Sequence, residues 1–204
     1  MCTGIIAFAL LFPLHANSLA LEEDTITFSI QEVSFMISGT SNVRDWEIET
    51  DAMKGTITGG PAFSDPEAYM EHPEAWFNQV ELTISNKTLD SGISAMNSTM
   101  HQTLNSEEHP QLTYVLDEVE YVWGDAEPME LTFLVHGTAT AAGNEHRFSE
   151  EIIIKKLGEN RYEVSSEMKL NMTDFDIEPP TFMRGALQTG DAMNIAFRIV
   201  LTSE

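Results

Sequence analysis

The stretch MNIAFRIVL, residues 193–201, alternates without a break. Met193, Ile195, Phe197, Ile199 and Leu201 share one face, and Asn194, Ala196, Arg198, Val200 and Thr202 share the other. A period of two marks a half-buried β-strand, and no helix can keep such a pattern on one side. The same period recurs along the chain. In TITFSI, Ile26, Phe28 and Ile30 align; in VSFMIS, Val33, Phe35 and Ile37 do. Further strands are expected over 46–58, 80–86, 112–122, 129–140, 147–156 and 161–172. Turn signals separate several of them, at Gly59-Gly60-Pro61, Gly124-Asp125, Gly143-Asn144 and Gly158-Glu159-Asn160. About eight or nine strands joined by short turns make an antiparallel meander with little helix. A long meander gains by closing on itself, because closure removes exposed edges. An eight-stranded barrel can be filled by its own side chains or hold one small apolar ligand. A two-sheet sandwich is the alternative architecture.

One segment departs from this pattern. In SGISAMNSTMHQTLNSEEHP, residues 91–110, Met96, Met100 and Leu104 recur every four residues. That spacing predicts a short amphipathic helix with one apolar stripe. Ser94 is the expected N-cap, and Pro110 ends the segment. Such a helix would plug or flank one end of a barrel. Residues 59–79, GGPAFSDPEAYMEHPEAWFNQ, are rich in proline and acids and read as a long exposed loop.

The N-terminus reads as a targeting segment. Residues 4–14 are almost wholly apolar, too few to span a bilayer, which takes roughly 20. Ser18-Leu19-Ala20 forms a small-x-small site, and polarity changes abruptly at Glu22-Glu23-Asp24. A cleaved signal peptide over 1–20 is expected, leaving one exported domain, 21–204, that is not an integral membrane protein. Cys2, the only cysteine, would leave with the signal, so neither a disulfide framework nor thiol chemistry is expected.

Charge and motifs narrow the function. The net charge is −23. Residues 21–146 carry 23 acids against Arg44, Lys54 and Lys87, so nucleic acid and anionic membrane surfaces would be repelled. Acidity of this kind speaks first to solubility or a saline habitat. His72, His101, His109, His136 and His146 show no metal-binding spacing. Nucleophile-elbow, Walker and dinucleotide glycine patterns are lacking. The carboxylates are too numerous for any catalytic pair to stand out. No enzyme activity, metal or cofactor is therefore expected. What remains is apolar inner faces, which are either packed core or a pocket for a water-insoluble molecule.

Four segments in order resemble the YceI-like family: FMISGTSNVRDWEIETDAMKGTITG, SGISAMNSTMHQTLNSEEHPQLTYVLDEV, VHGTATAAGNEHRFSEEI and LNMTDFDIEPPTFMRGALQTGDAMNIAFRIVL. The resemblance implies an all-β fold, an extended antiparallel eight-stranded lipocalin-like β-barrel with a short helix. It implies export to the periplasm or beyond, and binding of a long isoprenoid or other amphiphilic lipid inside the barrel. Arg44 stands where the family commonly has His, and it stays charged at all ordinary pH. The acidity disfavours a pyrophosphate headgroup unless Arg44 or Arg184 meets it. A neutral isoprenoid, a quinone-like molecule or a fatty amide fits better.

The expected lining residues are Phe35, Trp46, Ile48, Phe133, Met168, Phe175 and Phe197, with Met100 and Leu104 near one end and Arg44 at a headgroup. Gly39-Thr40-Ser41 is expected to be a turn, with Arg44 and Asp45 pairing or capping it. The competing reading is an acidic envelope or stress-response interaction protein with a filled core, recognising a basic partner through 59–79. A homodimer is compatible with either.

Overall fold

The computed structural model describes residues 25–182 and 186–204. The expected signal peptide and Arg184 lie outside them. The described residues form ten strands: β1 (Ile26–Ser41), β2 (Trp46–Thr50), β3 (Met53–Gly59), β4 (Phe77–Ser85), β5 (Gln111–Asp125), β6 (Glu130–Ala141), β7 (Asn144–Lys156), β8 (Arg161–Asn171), β9 (Thr181–Phe182) and β10 (Leu187–Ser203). Each neighbour in the order β1-β3-β4-β5-β6-β7-β8-β10 is hydrogen-bonded, and β10 pairs back onto β1. That last pairing closes an antiparallel barrel and excludes the sandwich. β2 and β3 pair with opposite ends of β1, at Phe35–Gly39 and Ile26–Phe28, so they act as one stave broken at Asp51-Ala52. The barrel therefore has eight staves, as the resemblance implied and within the eight or nine strands read from the alternation.

The two alternating runs TITFSI and VSFMIS belong to one strand. The first puts its apolar residues at even numbers and the second at odd numbers. A β-bulge between Ile30 and Glu32 reconciles them, since Ile30 pairs with Leu201 and Glu32 with the very next residue, Val200. One extra residue flips the face of everything that follows.

Gly39-Thr40-Ser41 is not the turn itself. All three residues lie in β1, and the chain reverses over Asn42–Asp45. The Ser41 hydroxyl closes that reversal, accepting the Arg44 N–H at 3.1 Å and donating to the Arg44 carbonyl at 2.7 Å. Among the described residues neither Arg44 nor Asp45 forms an ion pair. Gly39 serves a neighbour instead. It pairs with Trp46, and a Cβ placed on it would lie 2.3 Å from the Trp46 ring. Gly39→Ala is expected to push the indole out of place, break its hydrogen bond to the Thr40 carbonyl and cost about 1–3 kcal/mol. A shifted Trp emission spectrum with a lower denaturation midpoint would verify it.

The outward face of β10 also holds a surprise. Val200 alternates with Arg198 and Thr202, yet it is fully buried. Arg198 reaches Glu163 at 2.6 Å and Glu32 at 3.6 Å, and Arg161 reaches Glu32 at 2.6 Å. Val200 pairs with Glu32 on one side and Glu163 on the other, so the aliphatic stems of this charged network roof it over.

The loop 59–79 corrects the reading of an exposed segment. Its acids Asp65, Glu67, Glu71 and Glu74 are exposed, but Ala62, Phe63 and Trp76 are buried. Two 3-10 turns, Pro61–Phe63 and Pro73–Ala75, aim these side chains into one end of the barrel. Trp76 packs edge-on against Phe63 and Phe133, and Phe63 packs against Phe28 and Tyr162. The Trp76 indole N–H donates to the Tyr69 carbonyl at 3.2 Å, which satisfies its polar atom within the core. Prolines and acids masked a plug whose inner side is aromatic.

The expected helix is α1 (Ser94–Thr103). Ser94 is its first helical residue, not its N-cap; Ile93 holds that position without a side-chain cap. The helix entry is tied down instead by Asn97, which accepts from the Ser91 N–H at 2.9 Å and donates to Asp90 at 2.7 Å.

Candidate functional site

The barrel interior divides into two halves. At the plugged end, Phe28, Phe63, Trp76, Leu131, Phe133, Val135, Ile152, Ile154 and Tyr162 form one packed cluster. At the other end the staves enclose a cavity of about 480 Å³, within the ordinary range of roughly 300–1,000 Å³ for small-molecule sites. Its walls are almost entirely apolar.

Nine of the ten residues singled out from the sequence line this cavity: Phe35, Arg44, Trp46, Ile48, Met100, Leu104, Met168, Phe175 and Phe197. Alternation carries most of them inward. Phe35 and Phe197 face each other across the β1–β10 seam, and Trp46 and Ile48 follow on β2. The α1 stripe of Met96 and Met100 covers one flank, with Leu104 just beyond the helix. Phe175 lies in a 3-10 turn, Met172–Phe175, whose capping box joins Asn171 and Asp174. Phe133 is the correction. It faces inward but is fully buried under Trp76 and Phe77 in the plugged half, away from the cavity. The period of two gives the face of a strand, not the depth along it.

The mouth includes Ser41, Val43 and Arg44 from the β1–β2 reversal and Ile93 before α1. Arg44 is exposed and is the one cation among the described lining residues. It is thus placed to meet a polar group at the rim.

Sequence reasoning missed two titratable residues of the cavity wall, Tyr114 and Glu150. On β7, Phe148, Glu150, Ile152 and Ile154 share the inner face, so the run FSEEIII carries the signal by alternation alone. Glu150 is only 6 % exposed. Burial drives its carboxyl up from 4.5 to about 7, opposed by hydrogen bonding from the Ser166 and Tyr114 hydroxyls. One carboxyl oxygen, Oε2, is buried without a hydrogen-bond partner. Burial first, and then the charge of Glu150, push the Tyr114 phenol well above its usual range. Gly137 makes room for that phenol, since a Cβ there would lie 2.4 Å from it.

Among the described residues no group of three His, Cys, Asp or Glu side chains is placed to hold a metal ion. No helix among them is long and apolar enough to cross a membrane.

A closed eight-stranded antiparallel barrel, packed at one end and hollow and apolar at the other, defines a lipocalin-like protein. The chain belongs to the YceI-like domain family, which it matches over residues 19–201. Three solved structures share the fold at low sequence identity. BcnA of Burkholderia cenocepacia is 15% identical, with a TM-score of 0.62 over 82% of this chain and 95% of that one. A polyisoprenoid binding domain from Saccharophagus degradans, implicated in plant cell wall breakdown, is 11% identical, with a TM-score of 0.61 over 88% and 99%. The YceI protein of Campylobacter jejuni is 16% identical, with a TM-score of 0.58 over 77% and 84%. Comparison with curated proteins finds no match.

Proposed function

We propose that this protein is an exported, non-enzymatic binding protein that sequesters or carries a long-chain apolar or amphiphilic ligand inside its barrel. An isoprenoid, a quinone-like molecule and a fatty amide all suit the cavity. The observation that carries this reading is the apolar cavity reaching from the packed core to the mouth at Ser41–Arg44. Binding would draw on burial, at roughly 25 cal/mol per Å² before ordering costs. The polyisoprenoid binding neighbour with the same fold supports the ligand class. Export to the periplasm or beyond is supported by the apolar segment and small-x-small site before Glu22.

The filled-core alternative fits only half of the interior. Its recognition element, loop 59–79, is largely occupied in plugging the barrel, which leaves its exposed acids alone to meet a partner.

Extraction of the purified protein with organic solvent, followed by mass spectrometry, tests the proposal. One long-chain species near equimolar amount is the expected result; an empty, folded protein would contradict it. Met168→Arg and Phe197→Arg each set a charge in the apolar wall, where an unpaired ion is costly. Each is expected to lower the copurified ligand by at least roughly ten-fold. Full occupancy in a folded variant would remove that wall from the site.

A further inference from the structure

Glu150 sits where the packed half of the barrel gives way to the cavity. On the β7 inner face Ile152 and Ile154 below it belong to the packed cluster, whereas Phe148 above it lines the cavity. Across the ladder it pairs with Val135, another member of that cluster. The carboxyl thus forms part of the cavity floor. Its Oε2 is buried without a partner; the Tyr114 hydroxyl lies near the carboxyl, while the neighbouring Ser166 hydroxyl donates to the Glu151 carbonyl at 2.8 Å. A buried oxygen left in this condition is unfavourable until a donor reaches it.

We propose that Glu150 and Tyr114 seat the polar head of the ligand at the cavity floor, and that this head is a hydrogen-bond donor: an ammonium, an amide N–H or a hydroxyl. This rests on the reading of the cavity as a lipid site and specifies the end of the lipid that goes in first. A donor head, met by a turn of the Glu150 carboxyl that brings Oε2 to the cavity, satisfies that oxygen and leaves the chain to lie along the apolar walls toward the mouth. Above about pH 7, where the Glu150 carboxyl is ionised, a carboxylate or phosphate head would set a second negative charge beside it in a medium that screens poorly, with no cation among the described residues of the floor to offset it. Arg44, the cation of the lining, is exposed in the reversal at the mouth, where it cannot neutralise the floor. An all-hydrocarbon ligand would leave the orphaned oxygen as it is.

The test uses the delipidated protein and three probes of one chain length: dodecylamine, sodium dodecanoate and methyl dodecanoate. Binding is followed by titration calorimetry. Titrations are run at pH 8, where the Glu150 carboxyl is ionised and the amine still protonated, and, because the protein is strongly acidic overall, at high salt, where the Debye length falls to about 3 Å and distant charges are screened while a buried contact is not. The expected result is a preference for the amine over the carboxylate of at least about ten-fold, the range of a hydrogen bond to a charged group. Glu150→Leu should bring the two within about two-fold of each other. Tyr114→Phe should reduce the preference in part. Equal binding of amine and carboxylate by the parent protein overturns the proposal, as does a preference that survives Glu150→Leu. In either event binding of the methyl ester leaves the lipid-site reading standing. If none of the three probes binds, the lipid-site reading falls and the assignment of the head falls with it. Circular dichroism of each variant establishes that it is folded, and Glu150→Gln replaces Glu150→Leu if the latter is not.

Discussion

Trp76→Ala is expected to lower the unfolding free energy by about 3–5 kcal/mol, the largest effect of any single truncation outside the strand ladders. Trp76 is fully buried, with its ring against Phe63 and Phe133 and its N–H on the Tyr69 carbonyl. The void left behind could not collapse easily, because the surrounding staves are held by a closed hydrogen-bond ladder. The Tyr69 carbonyl would also lose one of its two donors, keeping the His72 N–H at 3.0 Å. Urea unfolding monitored by circular dichroism would measure the loss. Trp46→Ala serves as the contrast. That ring borders an existing cavity and is only partly buried, so its removal should cost less than about half as much. Equal losses would show that the two halves of the barrel are packed alike.

The second large effect is a pH-dependent one at Glu150. Its folded carboxyl titrates near 7, above the ordinary 4.5, because burial disfavours the charged form. The folded protein therefore holds a proton that the unfolded chain has released between those two values. Stability is fully present below about 4.5 and is lost as pH rises through about 7, by about 3 kcal/mol in all. Glu150→Gln keeps the shape and removes the ionisation. The variant and parent should have similar unfolding midpoints near pH 4.5, and the variant should become progressively more stable up to pH 8. Asp90 and Asp191, whose carboxyls are held below the usual range chiefly by the Asn97 amide and the Thr173 hydroxyl respectively, act in the opposite direction at lower pH. They are common to both proteins and cancel in the difference. A constant gap from pH 4.5 to 8 would show that Glu150 does not titrate in this window.

Alternation made most of the barrel legible. The inner face of β10 was correct at every position from Met193 to Leu201, because the pleat forces successive side chains to opposite sides whatever surrounds them. It also placed Phe35, Trp46, Ile48, Met168 and Phe197 in the wall of one cavity, while the helical spacing of Met100 and Leu104 added a flank. Phe133 failed because depth along a strand depends on what enters the barrel from elsewhere, here Trp76 from a loop distant in sequence from β6. Glu150 was readable by the same alternation that placed Ile152 and Ile154. Among so many acids it was lost as one more surface charge.

Local periodicity by itself thus determined the strands, their inner faces, helix α1 and the amphipathic character of the whole, since each depends on side chains a few positions apart. Only tertiary structure decided which half of the interior is solid. The prolines and acids of 59–79 describe one side of that loop, while Phe63 and Trp76 are fixed by where its ends attach to β3 and β4. Nor could any local pattern foretell that Val200 would be roofed by Arg161 and Arg198, or that the Glu150 carboxyl would be left one donor short. Both depend on strands brought together by barrel closure, and closure is a property of the whole ring.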